Sequence, residues 1–291
     1  MTKQEVINRL LPKAQELKRT FGLHVSMTLA QIVRESGWLQ HAPGNNFLGI
    51  KAPVDKYGNV LPNIPKDRIQ LLWTTEYISG KWEKVQRWFM NYASLEDCMD
   101  RYAKILLLPR YKQTLNSKDF WDSTNYVRLN GYASSPVYTD SLRTDILSNK
   151  LYQYDWYHKP KDSIETDFTW DETYSSVRFK GKTYYRIIEP YPNLWDKVFK
   201  LAHLLQDIRS AANSPLKINR WFSIPEYNAY LGGVGDSQHL VGLAADCAKP
   251  KTWTMQQFFG YVDTTEATGI GVGRAYLHID ARNDVKRIWY Y

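Results

Sequence analysis

A chain of 291 residues with 43% hydrophobic and 23% charged residues is long for one globular domain and comfortable for two. Its net charge of +8 lies mostly in the first half, with 22 Lys and Arg against 15 Asp and Glu up to residue 160 and 16 against 15 beyond it; this suits an anionic partner such as a wall polymer or a nucleic acid, though no basic run is long enough for a nucleic-acid arm. Cys98 and Cys247 imply no disulfide framework, no apolar stretch is long enough to span a membrane, and residues 1–23 lack the apolar core of a signal peptide.

Thr2-Lys3-Gln4-Glu5 reads as a capping box. It opens a helix with Val6, Leu10, Ala14 and Leu17 inward, a kink at Pro12 and a stop at Gly22. A second helix is expected from Ser26 to Ser36, with Met27, Ala30 and Val33 as its buried stripe and Gly37 ending it. Glu35 falls in its last turn. The partial negative charge of a helix C-terminus and burial against Trp38 both disfavour a carboxylate anion there, raising the pKa as a general acid requires. For a lone glutamate, a solvated helix end is the plainer reading.

Gln31-Ile32-Val33-Arg34-Glu35-Ser36-Gly37-Trp38, followed by Asn45-Asn46-Phe47-Leu48-Gly49-Ile50-Lys51, resembles the bacterial glucosaminidases of the flagellar and autolysin type. Thr74-Thr75-Glu76-Tyr77, Phe89, Tyr92, Pro109-Arg110-Tyr111 and Gly131-Tyr132-Ala133 keep the order of that family over roughly residues 1–155. The resemblance implies a mainly α, lysozyme-like domain with a small β-hairpin that cleaves the glycan of peptidoglycan. It makes Glu35 the proton donor and Glu76 the second carboxylate, on a hairpin returning through Val85–Phe89. It also implies substrate contacts from Trp38, Asn46, Tyr92 and Tyr132. Retention, inversion and attack by the substrate's own N-acetyl group stay open.

Helices are expected over residues 94–108, 117–130 and 137–149, then a linker over residues 156–171. A second domain, 172–291, should open with a hairpin at 177–188. A helix through Leu194, Val198, Leu201, Leu205 and Ile208 follows, then a strand at 216–221 and short helices at 225–230 and 254–261. Residues 269–273 lead into a strand that carries His278, and a terminal strand at 286–291 closes the chain.

Within this domain lie Ser237-Gln238-His239-Leu240-Val241-Gly242-Leu243-Ala244-Ala245-Asp246 and Tyr276-Leu277-His278-Ile279-Asp280. Two imidazoles and one carboxylate are the ligand set of a catalytic zinc. His239 and Asp246 are seven apart, so on one straight strand they would face opposite sides. A bend or bulge at Gly242, Ala244 and Ala245 is expected to bring them together. Ser237 can hydrogen-bond near the metal and Asp280 can support a ligand. A strand pair with two packed histidines is the plainer alternative, but a buried Asp beside them needs the compensation a cation supplies.

These residues resemble the zinc peptidases of the D-Ala-D-Ala carboxypeptidase and murein endopeptidase group, over roughly the last 115 residues. The resemblance implies an α+β peptidase domain with a small antiparallel sheet and one zinc ion held by His239, Asp246 and His278. Two departures stand out. Residues 273–277 contain no carboxylate for the base, leaving Asp280 as the nearest candidate, and Phe222 occupies the family's arginine position, leaving Arg220 or Arg282 for that role. Together the two resemblances imply a bifunctional hydrolase of bacterial peptidoglycan, of the bacteriophage endolysin type. It would be monomeric, without nucleic-acid or membrane partners, and held in the host cytoplasm until the membrane is permeabilised. The alternative is a virion-associated wall-binding module with only the glycosidase active.

Overall fold

The computed structural model describes residues 1–156 and 163–291, and the chain divides into the units Met1–Asp155 and Trp156–Tyr291. In the first unit, α1 (Lys3–Phe21) starts at the expected capping box and ends on Gly22 in the left-handed region. The helix runs on through Pro12, so the expected kink does not interrupt it. Helix α2 (Val25–Glu35) buries every residue from Val25 to Val33 rather than one stripe. It is a core helix, enclosed by α1, by α5 (Phe120–Leu129), by α6 (Tyr138–Ser148) and by the turn Leu151–Asp155. Among its buried polar residues, Ser26 and Gln31 find side-chain partners. Ser26, for example, bonds the Asp155 carboxylate.

Between α2 and α5 lie a hairpin, β1 (Ile69–Ile78) with β2 (Lys81–Met90), and two helices, α3 (Leu95–Leu106) and α4 (Lys112–Leu115). Ser79 and Gly80 both take positive φ, the requirement of a two-residue hairpin turn. Ser94 and Asp119 cap α3 and α5 through side-chain acceptors.

In the second unit the expected linker is partly folded. His158, Lys159 and Pro160 lie outside the described residues, but β3 (Ser163–Glu165) pairs with β4 (Phe168–Thr169). Ile164, Phe168 and Trp170 belong to the unit's core, which is why residues 163–171 order instead of linking. Next come a hairpin, β5 (Ser175–Phe179) with β6 (Lys182–Ile188), and the long helix α7 (Trp195–Ala212). The main sheet is built from β7 (Ile218–Arg220), β8 (Ala244–Ala248), β9 (Gly269–Val272), β10 (Tyr276–Asp280) and β11 (Arg287–Tyr290), with α8 (Pro225–Tyr230) and α9 (Met255–Thr264) in the connections. Its order is β11-β9-β10-β8-β7. It is mixed rather than purely antiparallel, because β11 returns parallel to β9. Val198, Leu201, Leu205 and Ile208 of α7 share one core with Ile218, Cys247, Ile270, Leu277 and Ile279 of the sheet. Cys98 and Cys247 are both free and buried. No helix among the described residues is long and apolar enough to cross a membrane.

Trp221 is fully buried, and its indole donates to the Gly242 carbonyl at 3.0 Å. Trp221→Ala should destabilise the second unit by about 3–5 kcal/mol. Urea denaturation of the full chain measures this, and a loss below about 1 kcal/mol would contradict so central a position.

Candidate active sites

In the first unit, Glu35 is the last residue of α2 and opens onto solvent. Its Oε1 accepts from the Tyr138 hydroxyl at 3.1 Å. Desolvation raises its pKa against the opposing pull of Tyr138, Arg34 and Lys51. The residue is accessible from one side, while protein packed behind the carboxyl lowers the local polarity; the upward direction rests on the second fact. Gly49 takes φ +58°, and a Cβ there would stand 3.2 Å from Glu35 Oε2. The glycine thus keeps that oxygen clear.

Glu76 sits on β1 and pairs with two cations, Lys51 Nζ at 2.5 Å and Arg87 at 3.2 Å. Burial favours its neutral form, but Lys51 and Arg87 outweigh it, and its pKa falls. The backbone bridge from Lys51 to Phe89 of β2 ties the motif loop to the hairpin. Lys51 therefore pairs directly with one carboxylate while its charge also reaches the other. The sequence had given Lys51 no role of its own.

The expected sugar-binding residues separate. Tyr132 lines a hollow with Leu48, Gly49, Lys51, Arg110 and Tyr111, and its hydroxyl donates to the Leu48 carbonyl. Tyr92 lines a different hollow, with Arg68, Asp97 and Arg101, and burial pushes its phenol pKa up. Asn46 is structural: its amide donates to the carbonyls of Ile50 and Met90 at 2.8 and 2.9 Å and accepts from Ile50 N at 2.9 Å. Both ends being engaged by backbone, nothing remains for substrate, and the Asn-Asn motif here shapes the loop that carries Gly49 and Lys51. One face of Trp38 is covered by the Lys3 ammonium, 4.7 Å from the ring centroid, rather than by Glu35.

In the second unit, His239 lies on a single 3-10 turn, Gln238–Val241, not on a bulged strand. Gly242, at φ 76°, closes that turn and lets the chain enter β8, where Asp246 sits. Asp246 faces His278 across the β8–β10 register. The three donor atoms converge: His239 Nε2 is 3.1 Å from His278 Nδ1 and 3.3 Å from Asp246 Oδ1, and the last two are 3.1 Å apart. Ligands about 2.0–2.2 Å from a tetrahedral ion stand about 3.3 Å from one another, so these atoms have the spacing of one face of a zinc tetrahedron.

Their protonation agrees with that fit. His239 Nδ1–H donates to the Trp221 carbonyl at 2.6 Å, leaving Nε2 as a bare lone pair. His278 Nε2–H faces Asp280 Oδ2 at 3.2 Å, which turns Nδ1 toward the site. Burial lowers the His239 pKa, whereas at His278 the same desolvation is outweighed by Asp246 and Asp280, which raise it. Desolvation also works against ionising Asp246, yet His239, His278 and Arg220 hold its carboxyl well below the usual range. The donor set and its tautomers fit a divalent cation.

Of the two roles expected for Asp280, its surroundings suit the support of His278 rather than the base. It is fully buried, bonds His278 and receives Arg282 Nε at 2.8 Å, and although desolvation opposes ionisation these partners bring its pKa down to about 2. Asp280 is not among the residues that line the pocket. Arg220 Nε donates to Asp246 Oδ2 at 2.9 Å, so it braces a ligand as well as lining the cavity. Ser237 lines that cavity as expected, beside Asp236, Arg282, Trp289 and Tyr291. Among the described lining residues Asp236 is the carboxylate that sequence reasoning missed; it stands directly before the Ser-x-His motif.

Residues 11–151 match the family Glucosaminidase, described as mannosyl-glycoprotein endo-beta-N-acetylglucosaminidase, and residues 168–280 match the family Peptidase M15. The chain is 25% identical over 171 residues to the exo-glucosaminidase LytG of Bacillus subtilis (strain 168), covering 56% of this chain and 57% of that protein. It is 28% identical over 149 residues to the peptidoglycan hydrolase FlgJ of Vibrio parahaemolyticus, covering 48% of this chain and 45% of that protein. A solved peptidoglycan hydrolase mutant from Sphingomonas sp. A1 aligns at 25% identity with a TM-score of 0.45, over 52% of this chain and 97% of that one. The chain thus spans about half the length of these two curated relatives.

Two substitutions test the geometry. Gly49→Ala should lower glycan turnover by at least about tenfold, because the left-handed backbone and the space beside Glu35 Oε2 both resist a Cβ. Asp280→Asn should weaken metal binding about 10–100-fold in a competition titration, and unchanged affinity would exclude the orienting role.

Proposed function

We propose that this chain, a glucosaminidase domain followed by a Peptidase M15 domain, cuts bacterial peptidoglycan twice: the glycan beside N-acetylglucosamine, and the wall peptide with zinc. The observation that carries the first activity is the opposite treatment of two carboxylates. Glu35 is pushed toward its neutral form by burial, and Glu76 toward its anion by Lys51 and Arg87. Such a divergence assigns Glu35 as the general acid and Glu76 as the charge that stabilises the cationic sugar. The rising limb of the Glu35 titration then sets the upper edge of activity: cleavage falls as pH passes the raised Glu35 pKa.

The second activity rests on the convergence of His239, Asp246 and His278. These residues would hold a zinc ion, which acidifies water and polarises a carbonyl. Arg220 and Asp280 hold the ligands in place, and Asp236, in the same pocket, is the base. Ser237 and Arg282 offer hydrogen bonds to the bound peptide. A lytic role of the endolysin kind extends this reading, since two different cuts in one chain loosen both the strands and the cross-links of the wall.

Mass spectrometry of fragments from purified peptidoglycan, with and without a chelator, tests both halves. New reducing glycan ends should persist under chelator while peptide cuts vanish. Glu35→Gln should abolish most glycan cleavage, a loss of about 10²–10⁴-fold, and leave peptide cleavage intact. Asp236→Asn should remove peptide cleavage while the protein still takes up one zinc ion. Wild-type protein that releases glycan ends but no peptide under any metal would restrict the second domain to binding.

A further inference from the structure

Three buried groups in the first unit form a chain that ends on Glu35 and that the reaction above does not require. Tyr102 Oη is 2.5 Å from Gln31 Oε1, Gln31 Nε2 is 3.1 Å from Tyr138 Oη, and Tyr138 Oη is 3.1 Å from Glu35 Oε1. Gln31 and Tyr102 are fully buried and Tyr138 is 6% exposed. Gln31 and Glu35 are one helical turn apart on α2, so the same face presents both.

The donor inventory fixes the direction of this chain. A carbonyl oxygen only accepts and an amide nitrogen only donates. Tyr102 therefore donates to Gln31 Oε1, and Gln31 Nε2 donates to Tyr138. With its oxygen already receiving a proton from Gln31, the Tyr138 hydroxyl has its own single proton free for Glu35. Turning the Gln31 amide round would set N–H against the Tyr102 hydroxyl and oblige both buried phenols to reorient, at the risk of an unpaired buried group.

We propose that Tyr102 and Gln31 are positioning residues that make Tyr138 a donor to Oε1 of Glu35, and so confine the transferable proton of the acid to Oε2. An oxygen that already accepts a hydrogen bond is the poorer place for the acid's proton. Oε2 is also the oxygen kept clear by Gly49. The proposal rests on Glu35 being the glycosidic acid, but its geometry does not depend on which glycan is cut. The other groups around Glu35 are Arg34 on its own helix, paired with Asp145 of α6 at 2.6 Å, Lys51 beside the hairpin, paired with Glu76, and the Tyr132 phenol. These stay in place in every variant below.

The test is a ¹³C NMR titration of the Glu35 carboxyl in the full chain, assigned with Glu35→Gln. It compares the unaltered protein with Tyr138→Phe, Tyr102→Phe and the double variant. Each substitution deletes one oxygen and keeps the ring. Tyr138→Phe should raise the Glu35 pKa by about one unit, because the donor to the anion is gone. Tyr102→Phe should raise it in the same direction, although the Tyr102 hydroxyl bonds Gln31 and not Glu35; the released amide turns its oxygen to Tyr138 and draws that proton away. The double variant should match Tyr138→Phe alone. An unmoved pKa in Tyr102→Phe, or additive shifts in the double variant, would overturn the relay. Because the readout is titration, a chain that cuts no glycan would sink the functional reading while leaving this pattern intact.

Discussion

Burying a polar group without a partner is expensive, and that constraint arranges both halves of this protein. Helix α2 is buried on all sides through Val33, so it can carry Ser26 and Gln31 only because Asp155, Tyr102 and Tyr138 meet them. The same enclosure ends abruptly after Val33, and Arg34 and Glu35 open onto solvent. In the second unit, His239 has no exposed surface; the Trp221 carbonyl takes its Nδ1 proton, and its Nε2 faces the Asp246 carboxylate and His278 across the site. The reactive groups are thus held by the partners that make their burial tolerable.

The two carboxylates of the first unit show how environment divides labour. Both are desolvated to some degree. Glu76 has two cations within ion-pair distance, whereas Glu35 meets a phenol and only the more distant charges of Arg34 and Lys51. A neutral donor leaves the desolvation of Glu35 largely in force, while full ion pairs reverse that of Glu76. Lys51 links the two effects. Its ammonium is committed to Glu76, which limits how far it can draw down the pKa of Glu35.

Much of this was legible in the sequence. The capping box, the helix that delivers Glu35 and the three candidate metal-ligand positions follow local patterns of caps, periodicity and residue type, and the hairpin that carries Glu76 followed from the family resemblance. What was not legible depends on contacts made far along the chain. Asn46 read as a ligand of substrate because a motif does not say which side of a loop its amide faces, and here it faces backbone. Residues 163–171 read as linker because two short strands and a 3-10 turn give almost no periodic signal, yet Phe168 and Trp170 are core. Asp280 read as either a base or a support because residues 273–277 hold no other carboxylate; only Arg282 folding back on it reveals that it is enclosed. Gly242 was expected to bend a strand, and its positive φ instead ends a turn before the strand begins.

The two sites share one device at the level of protons. In each, a group that never touches substrate decides which atom of a reactive side chain is bare. The Trp221 carbonyl takes the Nδ1 proton of His239 and Asp280 faces Nε2 of His278, which turns the other nitrogen of each ring toward the site. Gln31, pinned by Tyr102, directs the Tyr138 proton to one oxygen of Glu35. A carbonyl, a carboxylate and an amide do this work because each has a polarity that its surroundings hold fixed, whereas a hydroxyl alone could turn either way. That difference accounts for a fully buried glutamine one turn before the acid: an apolar residue would pack there equally well and leave the direction of the Tyr138 proton undetermined.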